Sequence, residues 1–337
     1  MPTSALPILD ISQLHGSPAD RAALIAQIRH VARHVGFFYV TGHGVSEALA
    51  ADVFRHSRRF FDLPPTEKLK IEMANSPHFR GYTPPGQEYT KGQPDWREEI
   101  DIGLELPPLD LLPGDPPWKR LQGPNQWPEA VPELKETLLH WQQEVIRVAT
   151  DLLKAFALAL GQPETVFESI YSGVSNQLLK TIRYPGRDQI PDDQGCGPHK
   201  DGGFVTLVRQ DHIGGLQVQT DAGWIDVPPL PGSFVVNIGE LLELATDGFL
   251  RANVHRVVAP PAGQDRQSLA FFLGARPDAV VPQLTLPPDL AAQTRGVERD
   301  PANPLFRDVG MNILKSRLRS HPDVARRHYG DLVALHA

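Results

Sequence analysis

Between Leu178 and Leu273 the chain breaks into seven short β-prone runs. They are Leu178 to Tyr184, Phe204 to Val208, Leu216 to Gln219, Trp224 to Val227, Ser233 to Asn237, Val254 to Val258 and Ser268 to Leu273. Turn signals separate several of them: Gly214-Gly215, Asp221-Ala222-Gly223 and Pro231-Gly232. Glycine supplies positive φ and proline a fixed φ, which is what tight turns require. Short strands at this spacing predict a mainly β fold, a jelly roll or barrel. In a rolled sheet, strands distant in sequence become neighbours, so residues far apart along the chain can share one site.

The flanks read as helical. Ser17 is placed to cap a helix with Pro18 at its first position, and Leu24, Ile25, Ile28, Val31 and Val35 give that helix one apolar stripe. After Gly36 comes the β-prone run Phe37 to Thr41, then the turn Gly42-His43-Gly44 and a second helix capped by Ser46. His43 reads as a turn histidine, not a ligand. Residues Phe79 to Gly103 read as an irregular, exposed loop of the kind that forms lids, and Pro107 to Pro128 as a connector. Val131 to Leu160 carries the longest helical stripe, and Leu305 to Arg319 reads as a final basic helix broken at Pro322.

Charge and cysteine usage exclude some classes. A formal charge of −7 gives no basic surface for nucleic acid. The single cysteine, Cys196, rules out an intrachain disulfide and fits a reducing cytoplasm. Met1 to Leu9 lacks the basic start of a signal peptide, and the apolar stretch near Val145 to Leu160 carries Arg147, Asp151 and Lys154, so no membrane span is expected.

The chemistry concentrates in His199-Lys200-Asp201, in His255 and in Arg266-Gln267-Ser268. If His199 and Asp201 open one strand, residues i and i+2 project from the same face. A His-x-Asp pair alone carries little weight in a chain with 13 histidines. The joint arrangement carries more, because His255 lies on a later strand of the same β-rich segment. Two imidazoles and one carboxylate suit non-haem Fe(II) and leave coordination positions open. A closed zinc site would need a fourth ligand, usually with cysteines that this chain lacks. Arg266 can make two parallel hydrogen bonds to the carboxylate of a 2-oxo acid, with Ser268 two residues on and Tyr184 as a further hydroxyl. Cys196 reads as a small space-filling residue.

These segments resemble the isopenicillin N synthase-like family of Fe(II)/2-oxoglutarate-dependent dioxygenases. The likeness runs through Leu6-Pro7-Ile8-Leu9-Asp10-Ile11, Val35 to Val45, Arg183-Tyr184-Pro185, Gly214 to Val218, Asn237-Ile238-Gly239-Glu240 and the three site motifs. It implies a double-stranded β-helix core at 176–280. An N-terminal region at 5–125, a core-flanking helix at 126–175 and a C-terminal helical extension at 281–337 would surround it. It implies His199, Asp201 and His255 as iron ligands, and Arg266, Ser268 and Tyr184 as anchors of 2-oxoglutarate. Ascorbate is a compatible reductant. The activity implied is hydroxylation or desaturation of a small organic molecule by dioxygen, with release of succinate and CO2, in the cytoplasm. A same-family oxidase, an ethylene-forming enzyme and a non-catalytic jelly-roll module are the alternatives. Ile182 stands where plant-type members carry Asn, and Gly274-Ala275-Arg276 where they often carry an Asn-Pro turn. The substrate pocket is expected between the Phe79 to Gly103 loop and the last helix, with Tyr89, Trp96, Arg97 and Arg317 as lid candidates. Neither substrate identity nor oligomeric state follows from the sequence.

Overall fold

The structure is a computed structural model that describes residues 6–188, 194–298, 300–301 and 303–333. The start of the expected N-terminal region and the end of the C-terminal extension lie outside the described residues. Its strands are β1 (Ile8–Asp10), β2 (Phe37–Thr41), β3 (Gly81–Thr83), β4 (Tyr89–Thr90), β5 (Gln93–Pro94), β6 (Glu98–Ile102) and β7 (Gln177–Pro185), then β8 (Cys196–His199), β9 (Val205–Gln210), β10 (Leu216–Thr220), β11 (Gly223–Asp226), β12 (Phe234–Ile238), β13 (His255–Val257) and β14 (Asp265–Leu273). A major sheet runs β1-β2-β12-β9-β14-β7-β6-β3 and a minor sheet runs β11-β10-β13-β8. This is the jelly roll with flanking helices that the strand pattern predicts. Each of the seven β-prone runs forms a strand, with ends shifted by no more than three residues.

Alternation along β14 decides which side chains meet. Arg266 faces Tyr184 across the β14–β7 ladder, Ser268 faces Ile182 and Ala270 faces Lys180. Directly opposed residues share a face, so this set looks toward the minor sheet. There Leu216, Val218, Val257, Ile182, Tyr184 and Ala270 form the inner apolar cluster. The intervening residues Leu269, Phe271 and Leu273 point the other way, into a larger core built on the long helix. That helix, Glu133–Ala159, buries Trp141, Val145, Val148, Leu152 and Phe156 completely or nearly so. Each such side chain contributes about 1.5–3 kcal/mol of transfer free energy.

Helices Pro18–His34 and Glu47–Phe61 pack on the same outer face, with the expected caps in place. Ser17 and Asp20 form a reciprocal capping box, and Ser46 Oγ accepts from Leu49 N. Gly36, at φ 68°, could not be replaced cheaply: a Cβ there would lie 2.3 Å from Arg251 O. His43 is the turn residue expected, with Nδ1 accepting from Val45 N at 3.1 Å.

Two expectations are corrected. Residues Phe79 to Gly103 are not an irregular exposed loop. Strands β3 and β6 within them extend the major sheet, and all five residues of β6 are buried. The charges of β6 hid it, because Glu98, Glu99 and Asp101 pair inside the protein with cations from other segments instead of facing water. Second, His199 and Asp201 do not open one strand. His199 ends β8, and Asp201 lies in the turn before β9. The Gly202-Gly203 pair that follows breaks the extended run. The expected final helix starts later, as Val309–Ser320, and is not the last: Pro322 begins a further helix, Pro322–His328, and Gly330–Val333 follows it.

Candidate active site

The turn after β8 is fixed from the backbone outward. Glu240 N donates to Asp201 O at 2.7 Å, and Leu241 N to Gly203 O at 3.1 Å. Gly239 lets these segments close together, since a Cβ there would lie 2.0 Å from Gly203 O. His255 opens β13 directly opposite His199 on β8. Asp201 Oδ1 then lies 3.3 Å from His199 Nε2 and 3.6 Å from His255 Nε2. The ligand atoms of all three side chains fall within 4.8 Å of one another. The structure therefore brings the predicted triad together, though through a turn and not through strand alternation.

The far side of each group is also held. His199 Nδ1 lies 2.8 Å from Gly197 O, and His255 Nδ1 lies 3.3 Å from Asn253 O. A carbonyl accepts only, so each contact puts a proton on Nδ1 and turns Nε2 toward the shared centre. Against the opposing effect of burial, Cys196 and Asp201 hold the His199 imidazole well above its usual value, so without a bound cation its Nε2 also carries a proton, directed at Asp201. Asp201 Oδ2 accepts from Thr206 Oγ1 and from Asn237 Nδ2, both at 2.6 Å. Burial opposes ionisation of Asp201, but His255, His199 and Asn237 together hold its carboxyl well below the usual range. Burial pulls His255 down to about 4, so it is neutral at neutral pH. Two neutral-capable nitrogens and one carboxylate oxygen, converging with no thiolate, are a donor set that fits Fe(II). Cys196 Sγ lies 3.7 Å from His199 Nδ1, on the nitrogen turned away from the centre.

On the same inner face lies Arg266, 1% exposed. It donates to Gln210 Oε1 at 2.9 Å and to Ser268 Oγ at 3.3 Å, and its guanidinium stacks 4.9 Å from the Tyr184 ring centre. Its Nε has no hydrogen-bond partner, and among the described residues no carboxylate lies within ion-pair distance of it. A buried guanidinium without a counter-ion is costly. The arrangement calls for an anionic ligand.

Beyond Tyr184 the inner face becomes a charged network. Arg97 pairs with Glu88 at 2.6 Å, Asp95 at 3.2 Å and Glu99 at 3.4 Å. Lys180 pairs with Glu88, Glu99 and Asp101, and Arg317 with Asp101 at 2.7 Å. Arg97 and Arg317, expected in a lid, are thus buried parts of this network, while Tyr89 and Trp96 are half-buried. Asp95 Oδ1 also accepts from Gly197 N at 3.0 Å, tying the network to the strand that carries His199. Sequence reasoning missed Asp95, Thr206, Gln210 and Asn237. For Asn237 a signal existed, since a lone amide in Val235-Val236-Asn237-Ile238 must find a buried partner.

His321 offers a test of this region by pH. It lies 3.5 Å from Glu88, and burial pulls it down to about 4. The unfolded chain titrates near 6.5. Between these values the unfolded state binds more protons, so this contribution is full above the unfolded value and is lost as pH falls toward the folded one. Wild type is expected to lose more unfolding free energy than His321→Gln on going from about pH 7 to about pH 5, by more than about 1 kcal/mol. Denaturant titrations at the two pH values measure this, and an unchanged difference would contradict it.

Comparison with known proteins bears on what this geometry serves. Residues 6–130 match the family model described as the non-haem dioxygenase in morphine synthesis N-terminal region, and residues 175–275 match the 2OG-Fe(II) oxygenase superfamily. The chain is 34% identical to the 2-oxoglutarate-dependent dioxygenase frbJ of Dothideomycetidae sp. (strain 11243), over 99% of this chain and 95% of that protein. The chain belongs to the 2OG-Fe(II) oxygenase superfamily. This oxygenase is also 39% identical to the homoarginine-6-hydroxylase 2-ODD-C23.1 of Arabidopsis thaliana, over 84% of this chain and 88% of that one. Among solved structures it is similar to a full-length Neurospora crassa protein crystallised in complex with alpha-KG and 5-formyluracil, at a TM-score of 0.74 and 25% identity, covering 98% of both chains. It is a 2-oxoglutarate-dependent dioxygenase of small molecules, with Fe(II) and 2-oxoglutarate as cofactor and co-substrate. Among the described residues, no helix is long and apolar enough to cross a membrane.

Proposed function

We propose that His199, Asp201 and His255 hold the ferrous ion, and that Arg266 and Ser268, with Tyr184, anchor the distal carboxylate of 2-oxoglutarate. The observation that carries this reading is the buried Arg266. It lies on the inner face that the His–Asp–His cluster adjoins and has no carboxylate partner among the described residues. Fe(II) and 2-oxoglutarate, when bound, supply an oxidation in which 2-oxoglutarate becomes succinate and CO2 while a C–H bond of the substrate is hydroxylated. The chain's own residues do the rest. Neutral His255 and ionised Asp201 present lone pairs without a proton to shed. Asn237 and Thr206 fix the carboxylate so that only Oδ1 faces the centre. Gln210 and the Tyr184 ring hold the Arg266 guanidinium in one orientation, which sets the direction of the co-substrate. The inner apolar cluster excludes water from that end.

The catalytic core is placed at 176–280, with the segments 5–125, 126–175 and 281–337 around it. The protein is read as isopenicillin N synthase-like and cytoplasmic, which its single cysteine supports. The test is anaerobic loading with Fe(II) and 2-oxoglutarate, then exposure to dioxygen with a panel of small molecules, read out as succinate. Basic amino acids belong in the panel because plant relatives are homoarginine-6-hydroxylases. Succinate formation that some panel member stimulates supports the reading. Oxygen consumption without succinate would replace it with an oxidase.

A further inference from the structure

Past β6 the chain runs on through Leu104, Leu106 and Leu109, which form one wall of a pocket of about 400 Å³. Small-molecule sites run from about 300 to 1,000 Å³. Trp118 and Leu121, on the 3-10 turn Pro117–Leu121, and Val174, just before β7, line it as well. Leu109 is 40% exposed and Val174 46%, so apolar surface stands open to water there. The pocket lies at the metal end of the roll. Gln177, which lines it, pairs with Leu273, and Leu273 pairs with Val205, shortly after Asp201. None of the lining residues is one of the proposed iron or 2-oxoglutarate residues.

Three cations line this pocket: Lys119, Arg276 and Arg80. Lys119 already pairs with Asp115, and Arg276 with Asp278. Arg80, only 9% exposed, has no ion pair among the described residues. Its guanidinium donates through Nη1 alone, to His78 O at 2.8 Å and Phe79 O at 3.2 Å. Nε is shut in without a partner. Nη2 has no partner among the described residues either, and it is not shut in. The group lies against the main chain at Gly103, where a Cβ would stand 2.4 Å from Nη2. Asn125 holds that glycine by its N–H at 2.8 Å and its C=O at 3.0 Å. Burial first, then Arg317, pulls Arg80 down to about 10, against Asp101, which is itself committed to Arg317 and Lys180. A buried guanidinium without a counter-ion is costly. Beside an apolar cavity it marks the place of an anionic head group.

We propose that this pocket binds a small organic carboxylate with an apolar body, its acid end on Arg80 and its body against the leucines, Trp118 and Val174. 2-Oxoglutarate does not suit it, having a second charge and no apolar body to cover that wall. Inorganic phosphate would leave the wall open to water. The same chemistry serves a substrate held by its acid end or an effector that is not oxidised, and the experiment separates the two. Binding itself does not depend on the oxygenase reading.

The test is calorimetry on the anaerobic holoenzyme loaded with Fe(II) and 2-oxoglutarate, titrated with octanoate, with octanamide as its neutral counterpart, and with acetate. Octanoate is expected to bind. Octanamide should bind at least about tenfold more weakly for want of the charge-assisted contact. Acetate should bind at least about a hundredfold more weakly for want of the apolar body. Arg80→Gln should bind octanoate and octanamide alike while keeping the affinity for 2-oxoglutarate. Val174→Glu sets a like charge at the exposed rim and should weaken octanoate more than octanamide, by about threefold or more. No binding of octanoate, equal binding of octanamide or acetate, displacement of octanoate by excess 2-oxoglutarate, or an Arg80→Gln protein that still discriminates would each overturn the proposal. If Arg80→Gln does not fold, the wild-type comparison and Val174→Glu decide. Admitting dioxygen then separates the two sources. Hydroxylated octanoate with matching succinate marks a substrate's site, and octanoate recovered intact marks an effector's. Failure of the wild type to bind 2-oxoglutarate would instead strike the oxygenase reading and leave this pocket standing.

Discussion

Asp201→Ala is expected to abolish succinate formation while leaving the protein folded. Asp201 Oδ1 is the only anionic atom facing both His199 Nε2 and His255 Nε2 in the cluster. Without it, two neutral imidazoles remain, a weak site for a hard divalent ion. Metal-borne stabilisation worth several kcal/mol is then lost, and turnover falls at least about a thousandfold. The stability change should be smaller because two effects oppose. Thr206 and Asn237 lose their acceptor, at about 1–3 kcal/mol for each group left unsatisfied. A fully buried carboxylate is also removed, which is favourable in the absence of metal. Metal content, succinate yield and a denaturant titration on one preparation separate these effects. Near-normal turnover would remove Asp201 from the proposed metal site.

Arg266→Gln is expected to raise the KM for 2-oxoglutarate by roughly a hundredfold or more, as loss of a charge-assisted carboxylate contact worth about 3 kcal/mol implies. The ligand-free protein should move the other way. Wild-type Arg266 is buried, stacked on Tyr184 and bonded only to neutral groups among the described residues. Removing its charge is expected to leave the ligand-free protein as stable as wild type or more stable. Melting curves with and without 2-oxoglutarate should then show stabilisation by the ligand in wild type and little in the variant. An unchanged KM would mean that the co-substrate lies elsewhere.

The β-rich half was legible because alternation and turn residues are local signals, and the seven runs fell where the strands are. The site was legible by residue identity but not by geometry. His199 and Asp201 were read as neighbours on one strand face, whereas a glycine-assisted turn separates them, and the partner that fixes the turn, Gly239, lies on another segment. Buried charge was the least legible feature. Glu98 to Asp101 read as part of an exposed loop because their partners cannot be seen locally. Lys180 lies 81 residues from Glu99, and Arg317 lies 216 from Asp101. A run of acids inside a strand is intelligible only once the ladder places cations beside it.

The proposal that His199, Asp201 and His255 hold one ferrous ion, and that Arg266 would hold the distal carboxylate of 2-oxoglutarate beside it, is tested most directly by calorimetric titration of 2-oxoglutarate under anaerobic conditions. The titration is run with and without Fe(II), on wild type and on Asp201→Ala. Tight binding is expected only for wild type with Fe(II), with a weaker isotherm in the other three cases because Arg266 alone then holds the ligand. Equal affinity with and without the metal, or an Asp201→Ala isotherm that Fe(II) tightens as much as it does wild type, would contradict it.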